Sequence, residues 1–381
     1  MSSPSPVLST IILVFALQAI LLSALVFFKQ PKNQSNIFLS LLIFFYALMA
    51  LNIAFINVLI RFDSFEIFRY FQLELLYGIG PALYFYTKSI SNPHFRFKKQ
   101  DYFHFLPLVL EFIFYRTAFY RLGAEGMYQT PSHTYTKVYL GEQWLGILSI
   151  SLYTILAFRI LIKHQNWLKQ RYSNLEKKSL NWLKLPVIFY GSFWILWNIL
   201  TELDRFIFDQ ELREYYFLPS FAGLAIVSCW IAFKSYTFST PELTEQNKKL
   251  NTKEEPSLDL EKYAKRIEHY METGKPYLDP DLNLSQLANQ LNINSKQVSQ
   301  TINTCFKKNF YEFINQYRVA LFIEKVKDFE QEKYTLLSLA YDCGFKSKST
   351  FNDSFKKITG KTPTEYIKKL KKESESMHSV D

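Results

Sequence analysis

Hydrophobic positions along the chain follow two different patterns, and the change between them divides it. From residue 7 to 238 the apolar side chains run on for whole helix lengths; from Pro241 onward they recur every three or four residues among charged and amide side chains. A continuous run predicts a helix buried on every side, whereas a three-to-four repeat predicts a helix with one buried stripe. Val7–Phe28 and Ile37–Ile60 are uncharged stretches of 22 and 24 residues, each long enough to cross a hydrocarbon core of about 30 Å. Phe71–Tyr86, Tyr102–Phe119, Trp144–Ile162, Leu185–Phe206 and Tyr215–Phe233 bring the expected number of transmembrane helices to seven. With a helical bundle followed by helices of one buried stripe, the predicted fold class is all-α.

Charge orients this bundle. The loops at 29–35, 88–100 and 159–184 carry 13 Lys and Arg between them, against seven in those at 61–70, 116–143 and 202–214. Basic loops stay on the cytoplasmic side, so the expected topology has the N-terminus outside and everything after Tyr236 in the cytoplasm, across a bacterial inner membrane. Residues 1–10 contain no basic residue, and 22–29 no small-x-small cleavage pattern, so the first span reads as an anchor. Polar groups at membrane depth are costly and mark candidate ligand or relay positions: Glu74, Glu111, Asn198 and Glu202, with Asp204 and Arg205 near the end of the sixth span. Glu202 and Arg205 stand three residues apart, a spacing that also suits a simple ion pair or headgroup contact. The Tyr77-Gly78-Ile79-Gly80-Pro81 run predicts a kink or a close helix contact in the third span.

The overall charge of +10 fits both membrane topology and nucleic-acid binding, and position separates the two. Between Leu284 and Lys372 there are 16 Lys and Arg against eight Asp and Glu. Residues 241–259 hold two prolines, many charges and no apolar period, and read as a linker. Leu260, Tyr263, Ile267, Tyr270 and Met271 form an amphipathic helix that stops at Gly274-Lys275-Pro276. Asn283 is placed to cap a helix with Gln286 reaching back to it, and Leu284, Leu287, Ala288 and Leu291 supply its buried stripe. Asn292 is expected to take the left-handed turn, and a second helix begins at Ser295. That helix should bury Val298, Ile302, Cys305 and Phe306 and present Lys296, Ser299, Gln300, Asn303 and Lys307 on its other face. Amides, a hydroxyl and lysines suit base edges and phosphates, although an ordinary solvated face has a similar composition.

The design repeats about fifty residues later. Thr335 caps a helix to Cys343, Gly344 turns the chain, and Ser347 starts a helix burying Phe351, Phe355 and Ile358 while exposing Lys348, Ser349, Asn352, Asp353 and Lys356. A long helix bearing Phe313, Ile314, Tyr317 and Leu321 joins the two units. Arg318 on that helix is open to two roles, a phosphate contact or a brace for the fold. The three cysteines, Cys229, Cys305 and Cys343, have neither a zinc-ligand nor a disulfide-framework spacing. No metal, no cofactor and no enzymatic motif is indicated.

The stretches LNLSQLANQLNINSKQVSQTIN, FYEFINQYRVALFIEKV and LSLAYDCGFKSKSTFNDSFKKITGKTPTEY resemble the AraC/XylS family of bacterial transcription regulators over roughly residues 260–370. The resemblance implies an all-helical module with two helix-turn-helix units and a sensory or dimerising partner domain. Base contacts are then implied from Lys296, Ser299 and Gln300 in the first unit and from Lys348, Ser349, Asn352 and Asp353 in the second. Asp353 departs from the basic residue often found at its position. Gly344, Phe345, Phe355, Gly360 and Pro363 match motif positions that have turn and core roles. More loosely, through YGIGPALYFY and the general architecture, the N-terminal half resembles that of membrane-bound members.

The expected organisation is a seven-span bundle over 1–238, a linker and connecting helix over 239–282, an AraC-type DNA-binding domain over 283–372 and a disordered tail over 373–381. The expected partners are double-stranded promoter DNA, the lipid bilayer, a second copy in a homodimer, and an unidentified small-molecule or membrane signal. Two alternatives are a transporter or membrane enzyme with an attached regulatory domain, motivated by Glu74, Glu111 and Glu202, and release of the DNA-binding half by proteolysis near the linker.

Overall fold

In the computed structural model, residues 6–59, 75–114, 133–176, 178–208, 211–237, 260–327 and 335–378 are described. Their regular structure is helical, and β pairing among them is confined to one isolated bridge, Tyr172 with Asn283. The chain forms two compact units: Met1–Ile162 with Leu180–Leu243, and Lys163–Ser179 with Thr244–Asp381. The short segment 163–179, which comprises the last two turns of one apolar helix (ending at Lys169) and the stretch that follows it, thus belongs to the C-terminal unit.

The first unit begins with α1 (Pro6–Lys29) and α2 (Gln34–Leu59). Between them the backbone N–H of Asn33 donates to the Gln30 carbonyl, and the Asn33 side chain accepts from the N–H of Ser35, capping α2. Helix α3 (Leu76–Ser91) packs on α2. Its glycines allow the close contact expected of the Gly-x-Gly-Pro run: a Cβ at Gly78 would lie 2.6 Å from the Phe45 ring, and one at Gly80 would lie 2.7 Å from the Tyr153 ring. A 3₁₀ turn (Lys99–Phe105) leads into α4 (Leu106–Phe114), followed by α5 (His133–Lys169), α6 (Asn181–Ile207) and α7 (Arg213–Thr237). In the unit's core Phe38 stacks on Phe85, which meets Phe97 edge to face, and Tyr46 lies flat on Tyr190, ring centroids 5.0 Å apart. Outward-facing side chains of the long helices are apolar too: Leu21, Leu25 and Phe28 on α1, Leu148 and Leu152 on α5, Leu185 and Leu196 on α6 are all more than half exposed.

Four of these helices, rather than the expected seven, are long and apolar enough to cross a membrane among the described residues: Thr10–Lys29, Gln34–Asn52, Gly141–Lys169 and Asn181–Ile207. The shortfall has local causes. Of the expected span Phe71–Tyr86, residues 71–74 lie outside the described residues, and the described part belongs to α3, which has 16 residues from Leu76. Over Tyr102–Phe119 the chain is not one helix: Asp101 accepts from the N–H of Lys98 and tightens the entry into a 3₁₀ turn, and α4 has nine residues before the described stretch ends. In α7 the apolar stretch found among the described residues is Ile226–Ser235.

The second unit contains α8 (Leu260–Thr273), a 3₁₀ turn (Pro276–Leu278), α9 (Leu284–Leu291), α10 (Ser295–Cys305), α11 (Phe310–Lys327), α12 (Leu336–Asp342), α13 (Lys348–Thr359) and α14 (Pro363–His378). One core runs through them, from Ile267 and Met271 on α8 through Leu287, Val298, Ile314 and Phe322 to Phe351 and Phe355. Helix α8, read from sequence as a connector, is therefore part of this core. Helix α14 extends to His378, into the stretch expected as a tail.

Candidate nucleic-acid interface

Each half of the C-terminal unit is a capped helix, a turn that needs a left-handed residue, and a second capped helix. In the first, the Asn283 side chain accepts from the N–H of Gln286 at 3.0 Å, and the Gln286 side chain accepts from the N–H of Asn283 at 2.8 Å, closing the predicted capping box. Asn292 takes φ 51° and directs the chain into α10. There Asn294 forms a second box, accepting from Lys296 N–H while Gln297 accepts from Asn294 N–H. Val298 and Ile302 anchor the helix in the core, so its opposite stripe faces outward: Lys296, Gln300 and Asn303 are exposed and Ser299 is half-buried. The Asn303 amide donates weakly to the Ser299 hydroxyl at 3.5 Å.

Lys307 is not on that stripe. Helix α10 ends at Cys305, and Lys307 sits in the following turn with φ 53°, so the eleven-residue spacing read from the sequence outruns the helix. Cys305, expected in the core, is exposed because α10 turns its last residue outward.

In the second half, Thr335 caps α12 and Ser347 caps α13 through hydroxyls that accept from the N–H groups of Ser338 and Thr350. Gly344 has φ 91°, and a Cβ there would lie 2.3 Å from the Tyr277 carbonyl oxygen; the turn needs glycine both for its backbone and for its contact with the 3₁₀ turn. Phe322, Phe345, Phe351 and Phe355 interlock around the base of α13. Its outward residues Lys348, Ser349, Asp353 and Lys356 are exposed, and Asn352 is half-buried. Ile358, expected in the core, is exposed, because α13 unwinds at Gly360 (φ 75°) before another turn can cover it.

Helix α11 holds the two halves together. Asn309 and Glu312 box its N-terminus, and the other Glu312 oxygen accepts from Lys357 of α13. Burial alone would raise the Glu312 pKa, but Lys357, the Asn309 N–H and the nearby charge of Lys169 bring it below the usual carboxylate value. Across the waist Lys346 pairs with Asp281 at 2.6 Å.

Arg318 settles into the bracing role. It is fully buried and donates through Nε to the Tyr277 carbonyl at 2.8 Å, through Nη2 to the Asp279 carbonyl at 2.7 Å and the Ser173 hydroxyl at 3.1 Å, and through Nη1 to Asn315 at 3.1 Å. Burial lowers its pKa to about 10, against the opposing pull of Asp279, Tyr311 and Asp281. Sequence reading missed Glu312–Lys357, Lys346–Asp281 and Ser173. The Asn309-x-x-Glu312 box was a legible local signal; the other contacts join residues too far apart in sequence for any period to reveal.

The polar positions singled out in the first unit serve its own helices. Glu111 accepts from the N–H groups of Leu76 and Tyr77 at 2.9 and 3.2 Å, which makes it the cap of α3. Asn198 accepts from Gln143. Glu202 accepts from Arg205 at 3.0 Å and from the Trp144 indole, and lines an open apolar cleft with Asn198, Trp144 and Phe206. Asp204 accepts from Leu212 N–H and the Tyr216 hydroxyl. Glu74 lies outside the described residues.

Neither a curated protein nor a solved structure matches the chain significantly. Residues 287–369 match a family model described as a helix-turn-helix domain, of the AraC type, so this part of the chain is similar to AraC-type DNA-binding domains.

Proposed function

We propose that the protein is a membrane-embedded one-component transcription regulator, in which the C-terminal unit reads promoter DNA through both helix-turn-helix units and the apolar unit senses a signal. The observation that carries the DNA half is the repetition itself: two capped helix-turn-helix units share one core and each exposes a polar stripe. On α10 the base-reading set is Lys296, Ser299, Gln300 and Asn303, and on α13 it is Lys348, Ser349, Asn352 and Asp353, with Lys356 on phosphate. Lys307, displaced from the helix, is left with at most a phosphate contact. Asp353 suits a cytosine amino group.

The membrane half of the reading is supported by four long apolar helices and by the apolar residues on their outward faces, since a water-facing surface of that kind carries a large hydrophobic penalty. The loop charge bias supports a cytoplasmic C-terminus, the side on which a promoter is reached.

Full-length protein in native membranes or lipid nanodiscs tests both halves. Genome-wide mapping of bound sites should return a shared motif, Gln300→Ala should relax preference at one position of it, and Lys356→Ala should weaken binding to all sequences while lowering the salt slope by about one. Binding without sequence preference in the wild type would overturn the DNA reading, and recovery of the protein in the soluble fraction after carbonate extraction would overturn the membrane reading.

A further inference from the structure

Segment 163–179 is the one part of the DNA-reading unit that comes from outside the C-terminal half of the chain. It does more than lie against the surface. The N–H of Ser173 donates to the Leu282 carbonyl at 3.2 Å, and the N–H of Leu284 donates to the Arg171 carbonyl at 2.9 Å. These two bonds flank the Tyr172–Asn283 bridge, placing a short antiparallel pairing at the residue that caps α9. The Ser173 hydroxyl, fully buried, donates to the Leu282 carbonyl at 2.6 Å and accepts from Arg318 at 3.1 Å. Asn315 of α11 donates to the Ser173 carbonyl at 3.4 Å. Farther along, Lys178 lies over the Tyr172 ring at 4.0 Å.

The position of these contacts gives them a consequence. Arg318 on α11 ties the 277–279 turn, which leads into the first helix-turn-helix, to the helix that leads into the second. Ser173 supplies one of its four acceptors and pins the start of α9 from the other side. We infer that segment 163–179 is a structural part of the DNA-binding domain that fixes the two helix-turn-helix units relative to one another, so that DNA binding and the seating of this segment are coupled. The segment continues α5 at its N-terminal end and leads into α6 at its C-terminal end, which makes it a second covalent route between the units beside the 241–259 linker. The inference rests on the DNA-binding reading above.

Coupling of this kind is reciprocal: whatever factor the seated segment adds to DNA affinity, bound DNA must add to the seating. It also acts on simultaneous engagement of two readers, since a loosened waist lowers the effective concentration of the second reader once the first is bound. General destabilisation would instead weaken binding to every DNA alike.

The test uses the full chain in lipid nanodiscs. The Tyr172–Asn283 pair is of the non-hydrogen-bonded type, with Cα atoms about 4.5 Å apart, within disulfide reach. A Tyr172→Cys/Asn283→Cys double variant should therefore form a 172–283 disulfide on mild oxidation, detected by mass spectrometry of the digest. Ser173→Ala should bind a duplex carrying both half-sites about tenfold more weakly while binding a single half-site duplex as the wild type does, and Ser173→Pro, which also lacks the N–H, should show at least that loss. In the wild type, saturating two-site DNA should slow hydrogen exchange at the Ser173 and Leu284 amides by a similar factor. Failure of the disulfide to form, two-site binding unchanged in both Ser173 variants, or equal losses on one-site and two-site DNA would each overturn the inference. Absence of any specific DNA binding in the wild type would overturn the functional reading instead, with the disulfide still deciding whether the segment is seated.

Discussion

Replacing Arg318 with Met tests the brace at the centre of the DNA-reading unit. The thioether chain fills similar space but donates nothing, so the Tyr277 carbonyl and the Asn315 side-chain oxygen lose their donor inside the core and the Asp279 carbonyl loses its donor at the core's edge. The Tyr277 and Asn315 acceptors are buried and, left unpaired at about 1–3 kcal/mol each, give about 2–6 kcal/mol, to which the part-buried Asp279 carbonyl adds less because water can reach it. Some of it returns, because a charged head no longer has to be held out of water; burial is the main reason the Arg318 pKa falls to about 10. The net loss expected is about 4 kcal/mol, a large part of the roughly 5–15 kcal/mol that holds a domain together. Arg318→Lys keeps a charge and three donors on one atom, too compact to span four acceptors, and should lose about half as much. The measurement is hydrogen exchange of core amides such as Leu287 and Phe313 in the full chain, where a loss of about 4 kcal/mol accelerates globally limited exchange roughly a thousandfold. Acceleration of less than tenfold in the Met variant would show that the guanidinium is replaceable and that the network is not what holds the waist.

Three further outcomes follow from the same unit. Gly344→Ala combines a positive φ with a 2.3 Å approach to the Tyr277 carbonyl and should cost at least about 3 kcal/mol, whereas Gly360→Ala, with nothing within 4 Å of the added carbon, should cost only about 1 kcal/mol of backbone strain; equal thermal shifts would refute the steric part. Because the folded state lowers the Glu312 pKa, its contribution to stability is present above the ordinary carboxylate value and disappears as pH falls through the lowered one, so Glu312→Gln should flatten the acid side of the stability profile; an unchanged acid limb would count against the Lys357 contact. In a Cys229→Ala background, maleimide should modify exposed Cys305 readily and leave Cys343 untouched until unfolding, since burial raises that thiol to about 11; equal labelling rates would contradict the packing of α12.

Much of the DNA-reading unit was legible because its signals are local. Caps at Asn283 and Thr335, the left-handed Asn292 and the turn at Gly344 all depend on residues within four positions of one another, and each is found where spacing placed it, while the helix expected to start at Ser347 starts one residue later with Ser347 as its cap. Periodicity failed at helix ends: it carried Lys307 onward as though α10 continued past Cys305, and it counted Ile358, in the last turn of α13, as core although that side chain is exposed. In the apolar unit, hydropathy averaged over the Tyr102–Phe119 stretch and hid the 3₁₀ turn that a single Asp101 side chain helps to set. It also presented Glu111 as a candidate ligand site, since a buried carboxylate looks the same in sequence whether it binds a signal or caps a helix 34 residues earlier.

The seating of Ser173 lies beyond both kinds of signal. Nothing in the 159–184 loop sets Ser173 apart except its neighbours, and the seven basic residues there were sufficiently explained by membrane topology. Yet Ser173 is 145 positions from the Arg318 whose guanidinium it accepts, and neither residue has a local reason to be what it is. A buried Arg needs acceptors fixed in a fork around it, and on α11 the local sequence offers only Asn315. The Tyr277 and Asp279 carbonyls and the Ser173 hydroxyl complete the set from two other parts of the chain. The open choice between phosphate contact and brace for Arg318 therefore could not be closed on the helix that carries it. It closes only once the segment between two apolar helices is counted as part of the unit that reads DNA, which is also why a cut at residue 240, the boundary that hydropathy marks most clearly, divides that unit rather than isolating it.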